Sequence, residues 1–282
     1  MFEAGFQHFA KRIRWVRSFK KSFNNNRNMP FEAELDFAKQ LSQEAGAMAI
    51  DYQRRGVSAE TKDDDSPVTA ADKANEKMIV EAITRRFPDD GILGEEGANK
   101  ESKNGRRWIV DPIDGTRDYV RGIPLWAVLI GLEQDGEVIV GVANCPEQDL
   151  LGWATKGGGA FVNGNPAHVS DINEPARAVL CFNGFHKQNV AVMGQPLLDW
   201  VGKYWAVRGL GGAADALLVA MGKADVWVEP NAKPWDFAAL KIVVQEAGGK
   251  FASFKHEDNI YHGNGYACTP GLEAHVRELF KG

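Results

Sequence analysis

Trp108-Ile109-Val110-Asp111-Pro112-Ile113-Asp114-Gly115-Thr116 is the stretch from which the rest of the chain can be read. Three apolar residues suited to a β-strand deliver Asp111, a proline bends the backbone, and Asp114 follows three positions on. Both carboxylates can then face one point, with the carbonyl of Ile113 between them. Hard oxygen donors in that number suit magnesium. Gly115 and Thr116 offer backbone N–H groups where the chain leaves the strand, a seat for phosphate oxygens. Asp-Pro and Asp-Gly are also common turn pairs, so this stretch alone is equally readable as a plain acidic turn.

Other segments bring carboxylates of the same kind. Gly94-Glu95-Glu96-Gly97 follows the apolar pair Ile92-Leu93, which places two acids at the end of a strand. Trp235-Asp236 opens a helix whose apolar side holds Ala238, Ala239, Ile242 and Val243. Asp72 lies three residues after Thr69. Each has a plainer account: a solvated glutamate pair, an N-terminal cap, a first-turn acid favoured by the helix dipole.

Around these segments the pattern of elements is mixed. Leu35, Ala38, Leu41, Ala45 and Met48 recur every three or four positions and predict a helix over 31–56. Residues 61–67 read as a polar loop and 69–86 as a second helix. Strands are expected at 108–110, 126–133, 138–145, 151–154 and 160–162, with turns at Gln134-Asp135-Gly136 and Asn163-Gly164-Asn165-Pro166. Helices over 213–221, 235–247 and 271–281 then alternate with strands over 226–228 and 250–254. Gly248-Gly249 supplies a stop signal for the middle helix. This order predicts an α+β chain, one catalytic unit over 29–282 with subdomains of about 29–175 and 176–282.

The chain has 282 residues and a net charge of −5, unevenly spread. Residues 1–28 hold seven Lys or Arg against one acid, leaving 26 bases and 37 acids for the remainder. An acidic body argues against a nucleic-acid partner. In the leader, Phe6, Phe9, Ile13, Val16 and Phe23 fall at helical spacing among the basic residues. It reads either as an amphipathic membrane-surface or targeting helix, or as a tail ahead of a start at Met29. No apolar run reaches the length of a membrane span. Cys145, Cys181 and Cys268 are odd in number and far apart, which fits a reducing, cytoplasmic setting without a disulfide framework.

Taken together, Glu95-Glu96, Asp111 to Thr116 and Trp235-Asp236, in that order, resemble the signature of the inositol monophosphatase family of magnesium-dependent, lithium-sensitive phosphatases. Pro67-Val68-Thr69-Ala70-Ala71-Asp72 and Glu246-Ala247-Gly248-Gly249 match as well, so the resemblance spans roughly 31–280. It implies a layered αβαβα sandwich, two or three Mg2+ ions per site and a homodimer. It also implies that Glu95, Asp111, the Ile113 carbonyl, Asp114 and Asp236 are metal ligands. Thr116 and Asp72 would orient the attacking water, with Glu95 sharing in its activation. Asp114, Gly115 and Thr116 would touch the substrate, with Lys62 facing the phosphate from a flap that contains Asp63-Asp64-Asp65.

The resemblance is divided over the substrate. Glu229 stands where inositol phosphatases hold ring hydroxyls, and Arg208-Gly209-Leu210-Gly211-Gly212-Ala213-Ala214 is similar to theirs. Gly91 to Glu96, Arg117 to Trp126 and Trp235 to Leu240 look instead like the histidinol-phosphatase branch, which commonly has Gly-Asp in place of Gly211-Gly212. The expectation is a phosphomonoesterase acting on histidinol phosphate, with inositol 1-phosphate as the alternative. A reading of another class is an inactive metal- or partner-binding module docked through the basic leader. Intact Thr116, Asp72 and four metal carboxylates argue against it, because binding has no need of a water-activating pair.

Overall fold

The runs Val128-Leu129-Ile130-Gly131-Leu132 and Ile139-Val140-Gly141-Val142-Ala143 are apolar on consecutive residues, as in strands covered on both faces. The structure, a computed structural model, bears this out. It describes residues 29–56, 58–61, 67–182, 184–185 and 193–280. The basic leader, Lys62 and Asp63-Asp64-Asp65 lie outside them.

Helix α1 (Glu32–Arg55) leads into a short antiparallel ribbon, β1 (Ala59–Thr61) with β2 (Pro67–Thr69), which flanks the expected loop and takes in only its end residues; 62–66 lie outside the described residues. Helix α2 (Ala70–Arg86) follows at once, capped by Thr69. Next come β3 (Gly91–Gly94), β4 (Asn99–Lys100), β5 (Arg106–Asp114), helix α3 (Thr116–Arg121), β6 (Ala127–Gln134), β7 (Glu137–Cys145), β8 (Leu150–Thr155), β9 (Gly159–Val162) and β10 (Asn165–Ala167). These eight strands form one sheet in the order β10-β9-β8-β7-β6-β5-β3-β4, antiparallel except where β3 meets β5.

The second half supplies β11 (Val179–Phe182), α4 (Gly194–Val201), β12 (Ala206–Arg208), α5 (Gly212–Ala220), β13 (Val226–Glu229), α6 (Pro234–Glu246), β14 (Lys250–Ala252), β15 (Gly265–Cys268) and α7 (Glu273–Leu279). Its five strands are ordered β12-β11-β13-β15-β14. The last helix is shorter than expected because Pro270–Leu272 forms a separate 3-10 turn, and the strand from Lys250 stops at Ala252.

Three apolar clusters define the layers. Leu35, Leu41, Ile79 and Ile83 of α1 and α2 pack on one face of the large sheet with Trp108, Val128 and Ile130. Leu217 of α5 and Phe237, Ala239 and Val243 of α6 fill the space between the sheets, against Leu129, Ala143 and Trp227. Leu197 and Trp200 of α4 and Val276 of α7 cover the outer face of the small sheet, with Leu180, Val228 and Tyr266. The order is α, β, α, β, α. Burying each large apolar side chain contributes about 1.5–3 kcal/mol.

Helix α6 is buried almost all round, from Phe237 to Val244, as its place between two sheets requires. It lies so close to the large sheet that glycine is needed there. A Cβ on Gly131 would meet that of Ala238 at 2.7 Å, and one on Gly141 would meet the Ala239 carbonyl at 2.5 Å. Cys145, Cys181 and Cys268 are buried and unpaired with one another. Among the described residues, no helix is long and apolar enough to cross a membrane.

Candidate active site

The site forms where β3, β5, β13 and the first turns of α2, α3, α5 and α6 converge. Strand β5 pairs Asp111 with Leu129 and Asp114 with Ala127, so one extra residue is accommodated around Pro112. Such a bulge re-aims the side chains that flank it. Ile113 then donates its N–H to Asp111 Oδ1 at 3.0 Å, which holds the bend. In the parallel pair, Gly94 is level with Val110, so Glu95 and Asp111, each the next residue, emerge side by side. The Glu95 N–H bonds the Val110 carbonyl at 3.2 Å.

Asp236 arrives from the other half of the chain at the third position of α6, after Pro234. Its Oδ2 accepts the N–H of Lys233 at 2.6 Å, so it is both a first-turn acid and a site residue. Asp111, Asp114 and Asp236 each offer an oxygen within 4.8 Å of the others. Glu95 borders the same cleft.

Carboxylates gathered this closely resist ionising. Burial pushes the Asp111 carboxyl well up, and Glu95, Asp114 and Asp236 push it further. Burial first, then Asp236 and Glu95, raises Asp114 to about 8. Asp236 rises to about 6, mainly through burial, while the Lys233 N–H opposes the shift. Glu229, at the end of β13, is also pushed to about 8 by burial and by Asp236 and Asp114. A half-buried cluster of acids with hard oxygen donors fits a divalent cation, which removes the mutual repulsion.

The Thr116 hydroxyl is 3.4 Å from Asp72 Oδ1 and 3.2 Å from the Ile113 carbonyl oxygen. Asp72 Oδ2 is already taken by the N–H and the hydroxyl of Thr69, at 2.8 and 2.5 Å. Only Oδ1 is therefore left to receive Thr116. Burial pushes the Asp72 carboxyl up, and the Thr69 bonds hold it down in part.

These groups open on a cleft of about 490 Å³, bordered also by Gly115, Arg117, Asp118, Leu125 and Glu229. The structure brings together every expected site residue except Lys62, which lies outside the described residues. Sequence reasoning missed Asp215, which is buried and receives the Leu210 N–H at 3.1 Å, holding the loop before α5 against the cleft. It also missed Glu76, whose carboxylate takes two N–H groups from the turn that bears Glu95. A signal was present for Glu76. With Asp72, it falls on the stripe of α2 that continues as Ile79 and Ile83, where a polar residue requires a partner.

Comparison with known proteins agrees with this geometry. The model of the inositol monophosphatase family matches residues 32–280. A histidinol-phosphatase of Chlorobaculum parvum is 40% identical over 233 residues, 82% of this chain and 90% of the relative. A fructose-1,6-bisphosphatase/inositol-1-monophosphatase of Aquifex aeolicus is 36% identical over 196 residues, 68% of this chain and 74% of the relative. The crystal structure of extragenic suppressor protein SuhB from Bartonella henselae superposes with a TM-score of 0.83 at 29% identity, covering 89% of this chain and 99% of that one. A match over almost all the described residues, on a shared fold, decides the assignment: the chain belongs to the inositol monophosphatase family, a family of phosphoric monoester hydrolases.

Proposed function

We propose that this chain is a magnesium-dependent phosphomonoesterase for a small phosphorylated alcohol, with histidinol phosphate as the favoured substrate. The observation that carries it is the convergence of Asp111, Asp114 and Asp236 within 4.8 Å beside the Thr116–Asp72 pair. Glu95, Asp111, Asp114, Asp236 and the Ile113 carbonyl would hold two or three Mg2+ ions. Bound there, the cation neutralises charge on the phosphate ester and makes a water more acidic.

The chain's own groups do the rest. Thr116 donates a hydrogen bond to Asp72 Oδ1, which leaves a hydroxyl lone pair to accept a hydrogen bond from the attacking water. Glu95, beside Asp111 at the cleft, offers an acceptor for the proton of that water. The amides of Gly115 and Thr116, at the start of α3, bind phosphate oxygens. Glu229 and the segment Gly209 to Gly212 border the space left for the alcohol.

Charge supports a monophosphate. Among the described residues lining the cleft, Arg117 is the only basic one, against Glu95, Asp111, Asp114, Asp118, Glu229 and Asp236. Of these acids, Asp118 and Glu229 lie outside the proposed metal set, and they would repel a second phosphate and attract the ammonium group of an amino alcohol. The name of the Chlorobaculum relative points the same way. Inositol 1-phosphate is the second candidate, because Gly212 keeps the space beside Asp114 and Glu229 clear of any side chain. Homodimer formation belongs to the same proposal and is read by light scattering on an eluting column.

The test is phosphate release with Mg2+ from histidinol phosphate, inositol 1-phosphate and a bisphosphorylated nucleotide, with Asp114→Asn as control. A dominant kcat/KM for one substrate identifies it. If wild type and Asp114→Asn are equally inactive on all three and on generic phosphate monoesters, the enzyme assignment fails.

A further inference from the structure

The chemistry above leaves the buried Glu76 carboxylate, beside the site, unused. Glu76 is 5% exposed and lies one helical turn after Asp72 on α2. Its Oε2 accepts the N–H of Glu96 at 2.8 Å and its Oε1 accepts the N–H of Ala98 at 2.9 Å. Both amides belong to the turn between β3 and β4 that begins with Glu95. The turn is closed on its other side by the Gly94 N–H on the Ala98 carbonyl, at 2.7 Å.

The fit is close. A Cβ on Gly94 would lie 2.3 Å from Glu76 Oε2, although Gly94 is outside the left-handed backbone region. Glycine there answers to space and not to backbone freedom. A carboxylate is also the group this turn needs, because it accepts on both oxygens and donates on neither. Glutamine would turn an NH2 towards one of the two amides and leave a buried donor unmet.

We infer that Glu76 is a positioning residue that sets Glu95 for the cation. It rests on the proposal that Glu95 is a metal ligand. Helix α2 thus acts at two points one turn apart: Asp72 orients Thr116, and Glu76 fixes the turn that presents Glu95. Outer groups that orient ligands in this way typically control metal affinity about 10–100-fold.

The experiment compares full-length wild type, Glu76→Gln, Gly94→Ala and Glu95→Gln. Three quantities are read: the melting temperature, the Mg2+ concentration that half-saturates phosphate release, and the affinity for Tb3+ by luminescence. Glu76→Gln is expected to raise the half-saturating Mg2+ about ten-fold or more and to weaken Tb3+ binding in parallel. Saturating metal should restore far more activity than it does in Glu95→Gln. Gly94→Ala crowds the same carboxylate from the opposite side and is expected to shift both metal readouts in the same direction. If Glu76→Gln does not fold, Gly94→Ala is judged by the same criterion.

A lowered melting temperature with both metal readouts unchanged overturns the inference and leaves Glu76 as a structural brace. Unchanged metal affinity in Glu95→Gln removes Glu95 from the metal set, and the inference falls with the proposal it rests on. The two failures are told apart by which variant is silent.

Discussion

Thr116 Oγ1 lies 3.4 Å from Asp72 Oδ1, joining two residues 44 positions apart at the starts of two different helices. A carboxylate accepts hydrogen bonds and donates none, so the pair has a direction: Thr116 donates, Asp72 receives, on the oxygen that Thr69 does not hold. Thr116→Ala is therefore expected to lower kcat by about 10²–10⁴ while the half-saturating Mg2+ stays close to wild type. Thr116→Ser, which keeps the hydroxyl, should recover most of the loss. Equal kcat in Thr116→Ala and wild type would remove the pair from the chemistry.

Asp114 and Asp236 yield a pH prediction for the metal-free protein. Their folded pKa values, about 8 and about 6, lie above the ordinary carboxylate value of 3.8. The folded state therefore binds more protons than the unfolded state between about pH 4 and pH 8, and stability falls as pH rises through that window. In EDTA, Asp114→Asn should melt above wild type at pH 8 by several degrees, with the gap narrowing towards pH 4. Added Mg2+ should raise the wild type more than the variant. Parallel melting curves for the two proteins across this range would refute the account.

Glu229 bears on substrate choice. Glu229→Ala is expected to lower kcat/KM about ten-fold or more on the preferred ester, through the loss of a buried polar contact. The loss on 4-nitrophenyl phosphate should be much smaller, since that ester has no hydroxyl or ammonium group for the carboxylate to meet. Equal losses on both substrates would assign Glu229 to the fold or to the metal set.

Gly141 tests the sheet-to-helix contact that carries Asp236. A methyl group there would come within 2.4 Å of Ile242 Cγ2 and 2.5 Å of the Ala239 carbonyl, so α6 must shift. Gly141→Ala is expected to cost about 1–3 kcal/mol. The melting temperature should drop by about 2–4 °C for each kcal/mol. No measurable drop would mean that α6 can retreat without strain.

The elements visible in the sequence were those with local causes. Helices α1, α2, α5 and α6 show periodic or continuous apolar faces with capping and stop signals. Strands β5 to β9 show apolar runs, with an Asp-Gly turn between β6 and β7 and an Asn-Gly turn after β9. The short elements β4, β10, β11, β12, β15, α3 and α4 were not found, and Asn165 and Pro166, expected in a turn, begin β10. Gly265-Tyr266-Ala267-Cys268 has no β-branched residue and is a strand because β13 and β14 flank it on both sides.

Sequence by itself pointed to the family, the layered fold and the carboxylates proposed to hold the metal, since each motif is contained in one short segment with its own local geometry. Asp111 and Asp114 share a bend, and Asp236 opens its helix. Tertiary structure decided which of those carboxylates meet, through the parallel register of β3 on β5 and the packing of α6 between two sheets. It alone disclosed the supports, Glu76 beneath the Glu95 turn and Asp215 beneath the Leu210 loop. A ligand's identity follows from chemistry along the chain, whereas a support is defined by the distant backbone it bonds, and that contact exists only after folding.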